Sequence, residues 1–97
     1  MTFGQTLLGL KVLELSTNIA GPFAAMILGD MGAEVIKIER PPHGDDTRAL
    51  PPRWEGEATV FLSVNRNKRS LLLDIKSLEG KVALFRLIET ADVIIES

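Results

Sequence analysis

The residues best suited to chemistry in this chain are basic, and they sit just after apolar runs. Arg40 ends the run AEVIKIE (33–39) and is followed by Pro41, Pro42, Gly44, Asp45, Asp46 and Arg48. An arginine carried from the carboxyl end of a strand into a Pro/Gly loop is how open α/β sheets offer a cation to a phosphate or carboxylate. A second basic group follows: Arg66, Lys68 and Arg69, then Lys76. With Arg40 and Arg48 these supply enough charge to neutralise a polyphosphate, arginine by bidentate contacts and lysine as a point charge. The plainer reading of such a charge run is a solvated turn.

Other chemistries find less support. His43 is the only histidine, it lies in a loop, and the sequence has no cysteine. No metal site is therefore expected, and thiolate and disulfide chemistry are excluded. Asp45 and Asp46 are neighbours, which suits a turn, a cap or pairing with Arg48 better than a catalytic dyad. Asp74 reads as a strand end that caps the next helix. Trp54, inside the long loop, either anchors that loop or rests on another part of the protein. No nucleophile–base pair is evident, so no catalytic residue is assigned. The turn STNIAGPF (16–23) stands where a dinucleotide fold carries its glycine-rich loop, but it holds only Gly21, and Pro22 has no N–H to donate. Glu39, about 18 residues on, mimics the spacing of a ribose-binding acid. Without the glycines a nicotinamide cofactor is not expected. Asn18 and Ile19 nevertheless fall at the strand-to-helix crevice, where their backbone groups can line a site.

The elements that must position these residues are legible from the pattern. Lys11 to Ser16 reads as a strand. Pro22 suits a helix start, Phe23, Met26, Ile27 and Met31 recur at helical spacing, and Gly32 closes the helix. Ala33 to Glu39 is a second strand, which completes a βαβ unit and predicts parallel pairing. Pro41 to Glu57 is a loop of roughly 17 residues, long enough to be functional or mobile. Ala58 to Val64 is either a short helix or extended. Asn65 to Arg69 reads as a basic turn and Ser70 to Ile75 as a third strand. Ser77 caps a helix running to about Thr90 with Leu78, Val82, Phe85 and Ile88 on one face. Asp92 to Glu96 is a fourth strand. The pattern predicts an α/β fold with a mostly parallel sheet whose apolar strands are covered on both faces by helices.

Composition fits one small domain over residues 1–97. The chain carries 45% apolar residues and a net charge of −2, which argues against nucleic acid as a partner. No apolar run approaches the ~18–20 residues that cross a bilayer, so no membrane contact is expected. Met1 to Gln5 has no cationic leader, and a cytoplasmic protein is expected. The sequence stops at the carboxyl end of a strand, where such folds place ligand residues, so an amino-terminal or truncated piece of a longer protein is expected.

Taken together, the segments LxGLKVLELS, AGPFAAMILGDMGAEVIKIERP, GDxxR, NRNKRSLLLDIKSLEGK and ADVIIE resemble the amino-terminal part of family III CoA-transferases. That group also contains formyl-CoA and carnitine-CoA transferases and the α-methylacyl-CoA racemases. The resemblance runs from about Leu8 to Glu96. It implies an incomplete Rossmann-like large domain, interlocked homodimers in the full-length protein, and acyl-CoA with a small carboxylic acid as substrates rather than a resident cofactor. By position it implies that Asn18 and Ile19 line the site near the thioester, that Arg40 faces the CoA nucleotide, and that Leu73 and Lys76 flank its adenine and phosphate end. Ser97 stands where many members have asparagine. Ile19 departs from the glutamine of some oxalate-type members, which argues against that substrate. The transferases work through an aspartate, and the racemases through a His/Asp pair; both lie downstream of Ser97. The wording KIERP favours a transferase. The alternatives are a racemase, or a non-catalytic fragment that acts by dimerising through an open sheet edge.

Overall fold

A computed structural model describes residues 6–97. The leader reading at Met1 to Gln5 lies outside the described residues. Four parallel strands make the sheet: β1 (Lys11–Leu15), β2 (Glu34–Glu39), β5 (Lys68–Leu72) and β6 (Val93–Glu96), in the spatial order β5-β2-β1-β6. Helix α1 (Ala20–Asp30) connects β1 to β2, and α3 (Leu78–Thr90) connects β5 to β6. These two crossovers run in opposite directions along the sheet. Because such connections are right-handed, the two helices fall on opposite faces. The order also reverses between β1 and β6, which makes their carboxyl ends a switch point of the kind where α/β folds bind ligands.

The long loop is more structured than the sequence suggests. After β2 it forms a short 3-10 helix (Asp46–Ala49) and a two-stranded hairpin of β3 (Arg53–Trp54) and β4 (Glu57–Ala58). It then enters α2 (Thr59–Val64), which settles the open choice at 58–64 as a short helix. Both Pro41-Pro42 and Pro51-Pro52 are cis peptides. Asp45 caps the 3-10 helix by accepting from the Thr47 N–H. No helix among the described residues is long and apolar enough to cross a membrane.

Packing explains why α1 sits where it does. Val12, Ala25, Ala33 and Val35 form the buried core, with Leu10, Leu28, Val93 and Ile95 packed against it. The small Ala25 lets the helix approach the sheet, and burying each larger aliphatic side chain contributes on the order of 1.5–3 kcal/mol. Gly32 closes the helix at φ 102°, as expected of a glycine in the left-handed region.

Three expectations are corrected. The third strand of the sheet spans Lys68–Leu72, not 70–75, so two residues read as a basic turn are strand residues. The strands are not simply apolar on both faces. Glu14, Ser16, Lys37 and Glu39 are all buried, and in the register Glu14 stands beside Lys37 and Lys37 beside Ser70. Side chains alternate along a strand, so Glu14, Lys37 and Ser70 form a polar rung on the same face as Val12 and Val35. The helix face of Leu78, Val82 and Phe85 is not packed within the described residues: Leu78 is 76% exposed and Phe85 60%.

Candidate functional site

The polar rung is an ion network, and it fixes the end of the sheet where a ligand would sit. Lys37 Nζ lies 2.9 Å from Glu14 Oε2, 2.9 Å from Asp45 Oδ2 and 3.0 Å from the Ser16 carbonyl. Lys68 Nζ lies 2.8 Å from Glu14 Oε1, 2.9 Å from the Pro22 carbonyl and 2.7 Å from Asn65 Oδ1. Each ammonium is thus surrounded by three oxygens, matching its three hydrogens in number. Glu14 bridges the two lysines, Asp45 supplies the second negative charge, and the group is neutral. Burial pushes the Lys68 ammonium below its ordinary value, only partly opposed by Glu14. Burial also pushes Asp45 up, but the Thr47 backbone N–H, Lys37 and the Thr47 hydroxyl outweigh it, and its carboxyl stays below the usual carboxylate range.

A second pair lies beside the first. Arg48 Nε and Nη2 each donate to Glu39 at 2.7 Å, and the Arg48 guanidinium stacks 3.8 Å from the centroid of Phe61. The Ser70 hydroxyl and the Asp45 N–H also donate to Glu39. Burial raises the Glu39 carboxyl, but Arg48, Ser70 and Asp45 together hold it down at about 2. Arg48 and Lys68 are therefore committed to internal partners and do not form part of a free cationic patch. Arg66 is also engaged, 2.7 Å from Asp30, and Arg69 approaches Glu34 at 3.9 Å. Proximity in the chain groups these cations; the sheet register sends them to different partners.

What remains open is a cleft of ≈ 250 Å³ at the carboxyl ends of β1, β2 and β5. Ile38, Leu73 and Ile75 give it apolar lining, and Arg40 and Lys76, both exposed, supply its positive charge. A larger cavity of ≈ 440 Å³ adjoins it, shares Arg40, Gly44 and Asp45, and is also lined by His43 and Arg53. Arg40 makes only a loose exposed contact, 3.5 Å to Asp46. Leu73 is fixed by its N–H donating to the Glu39 carbonyl at 2.9 Å, and the Lys76 N–H donates to Asp74 Oδ1 at 3.0 Å.

The structure thus brings Arg40, Leu73 and Lys76 to one cleft. Asn18, Ile19 and Ser97 lie apart from it, at the β1–β6 switch point. Asn18 takes the left-handed conformation at φ 69°. Ile19 is half-exposed and stands at the start of α1 without a side-chain cap, a position that usually favours Ser, Thr, Asp or Asn. Gly21 makes the crevice possible: a Cβ there would lie 2.3 Å from the Ser16 side chain and 3.3 Å from Ser97 Oγ. Sequence reasoning missed Glu14 and Lys37, and it placed Lys68 on the surface rather than in the network. The signal for the first two was a single charge set in the middle of each of two apolar strands.

The geometry has a counterpart in known proteins. The sequence model of CoA-transferase family III matches residues 7–97. The chain belongs to CoA-transferase family III. Among the curated relatives of this family III chain, human succinyl-CoA:glutarate CoA-transferase is 51% identical over 90 residues, covering 92% of this chain and 20% of the relative. Succinyl-CoA:mesaconate CoA-transferase of Haloarcula hispanica is 46% identical over 93 residues, covering 91% of this chain and 23% of the relative. The crystal structure of a CAIB/BAIF family protein from Brucella suis superposes with a TM-score of 0.86 at 44% identity, over 93% of this chain and 25% of that one. This family III chain therefore spans about a fifth to a quarter of the length of the relatives it matches.

Proposed function

We propose that residues 1–97 form the CoA-binding portion of the large domain of an acyl-CoA:carboxylate CoA-transferase. The observation that carries this is the cleft at the strand ends, apolar along Ile38, Leu73 and Ile75 and cationic at Arg40 and Lys76. CoA needs both: apolar surface for its adenine and pantetheine, and cations for its phosphates. Asn18, Ile19 and Ser97, at the switch point, line the thioester end. The transferase names of the relatives support CoA transfer over racemisation, and those that name succinyl-CoA with glutarate or mesaconate support a short dicarboxylate as the acid. Replacing Arg40 with alanine is expected to weaken CoA binding by about 1–3 kcal/mol, the worth of a charge-assisted phosphate contact, as read by calorimetry. An unchanged affinity removes Arg40 from the site.

The chemistry in this reading belongs to a carboxylate outside these residues. That carboxylate attacks the thioester carbonyl and expels CoA thiolate, forming a mixed anhydride. The thiolate attacks the anhydride at the carboxylate's own carbonyl, which releases the donor acid and leaves a CoA thioester on the protein. The acceptor acid attacks this thioester, expels the thiolate and forms a second anhydride; the thiolate then attacks the acceptor's carbonyl, giving the new acyl-CoA and the free carboxylate. The buried carboxylates of this chain support that division, because Glu14, Glu39 and Asp45 are all paired with lysine or arginine. The 97 residues alone are expected to show no turnover when mixed with an acyl-CoA and an acceptor acid, and measurable CoA transfer would contradict this. The reading extends to a cytoplasmic protein that functions as an interlocked homodimer.

A further inference from the structure

We infer that Asp45 is a positioning residue for the CoA cleft, locking the loop that carries Arg40 to the turn that carries Asn18. This role rests on the proposed CoA site and goes beyond it by naming what holds the two walls together. Asp45 is 2% exposed, and both of its carboxylate oxygens face protein groups. Oδ2 meets the Lys37 ammonium of β2 at 2.9 Å, as an ion pair. Oδ1 accepts from the Thr47 N–H at 2.9 Å and the Thr47 hydroxyl at 2.8 Å, which shapes the loop after β2. The same oxygen accepts from the Asn18 N–H at 3.4 Å, a contact that reaches across 27 positions of sequence to the β1–α1 turn.

The backbone on either side of Asp45 is tied in as well. Its own N–H donates to Glu39 at 2.8 Å, and the Gly44 N–H donates to the Arg40 carbonyl at 2.8 Å. The segment from Arg40 to Thr47 is thereby folded back on the end of β2 and anchored below by a lysine. Arg40 projects from this segment and has no firm partner of its own among the described residues. A loop that is pre-set loses less freedom when a ligand binds than one that must be ordered at that moment. Asp45 lines both cavities that meet at Arg40, yet its oxygens are occupied by protein groups. Its role is therefore to hold the cation in place and not to touch the phosphate.

The test is a double-mutant cycle on the 97-residue chain with CoA as the titrant, read by calorimetry, with thermal melting of each variant. Asp45→Asn is expected to weaken CoA binding severalfold in the native background, by no more than Arg40→Ala does, and to weaken it far less once Arg40→Ala is present, because the residue acts through that arginine. Additive losses, or an unchanged affinity in a folded Asp45→Asn variant, overturn the inference. If Asp45→Asn does not fold, Thr47→Val replaces it: this keeps the Lys37 pair and removes only the hydroxyl contact to Asp45. A smaller loss of affinity with the same dependence on Arg40 supports the inference, and no loss overturns it. If Arg40→Ala itself leaves CoA binding intact, the CoA reading of the cleft has failed, and the positioning role fails with it.

Discussion

Replacing Lys37 with alanine is expected to cost the chain about 3–5 kcal/mol of stability, measured by urea denaturation at neutral pH. The reason is the company Lys37 keeps. Its ammonium is 1% exposed and neutralises two carboxylates, Glu14 and Asp45, that are themselves out of solvent. Without it, Asp45 loses its lysine and Glu14 keeps one cation, Lys68, with the Ser16 hydroxyl. Breaking a buried pair from one side costs far more than the pair contributes net, because a charge is left without a partner. Small domains have only about 5–15 kcal/mol in total, so the loss takes a large share of the stability. Lys37→Met separates charge from packing. It keeps the aliphatic stem and removes the ammonium, so its loss should approach that of alanine. A loss below about 1 kcal/mol for both variants would mean that the network does not hold the sheet end.

Acid should weaken the fold through Glu39. Its carboxyl is held at about 2 in the folded state against an ordinary 4.5. A folded value below the unfolded one means the stabilisation is fully present above about pH 4.5 and is lost as pH falls toward about 2. The difference corresponds to on the order of 3 kcal/mol. Asp45, also held below its ordinary value, adds to the loss in the lower part of that window. Urea midpoints taken at steps from about pH 5.5 to about pH 2.5 should therefore hold at first and fall once the pH drops through about 4.5. Glu39→Gln should flatten most of that slope while lowering stability at neutral pH, since Arg48 then faces a neutral amide. A slope unchanged by Glu39→Gln would assign the acid sensitivity to other carboxylates.

Much of the fold was legible because its signals are local. Val12, Leu13 and Leu15 mark a strand, Pro22 and Gly32 bracket a helix, and Val35, Ile36 and Ile38 mark the next strand. The βαβ spacing then dictates parallel pairing. The start of β5 was misplaced because Lys68 and Arg69 carry charges, and charges that follow Asn65 and Asn67 read as a turn. Their strand conformation depends on pairing with Val35 and Ile36, which no local pattern reveals. The same limit hid the ion network. Glu14 and Lys37 are 23 positions apart, and only the register of β1 and β2 makes them neighbours.

The site was legible in part for the same reason. Arg40 could be placed from the strand and the Pro-Pro that follows it. Lys76 could be read as the last of the basic group after Arg66, whereas Leu73 looks ordinary in sequence and came only from the family resemblance; the structure puts both in the same cleft as Arg40. Arg48, Arg66 and Lys68 looked equally available in the sequence. They differ because Glu39, Asp30 and Glu14 reach them in space.

Whether CoA binds the cleft at the carboxyl ends of β1, β2 and β5 is tested most directly by NMR. CoA is titrated into the isotopically labelled 97-residue chain and the backbone amide shifts are followed. Shifts are expected at Arg40, Gly44, Leu73, Ile75 and Lys76, extending to Asn18 and Ile19, and strongly reduced in Arg40→Ala. Saturable shifts confined to the β3–β4 hairpin or to the exposed face of α3, or no shifts at millimolar CoA, would contradict binding in the cleft.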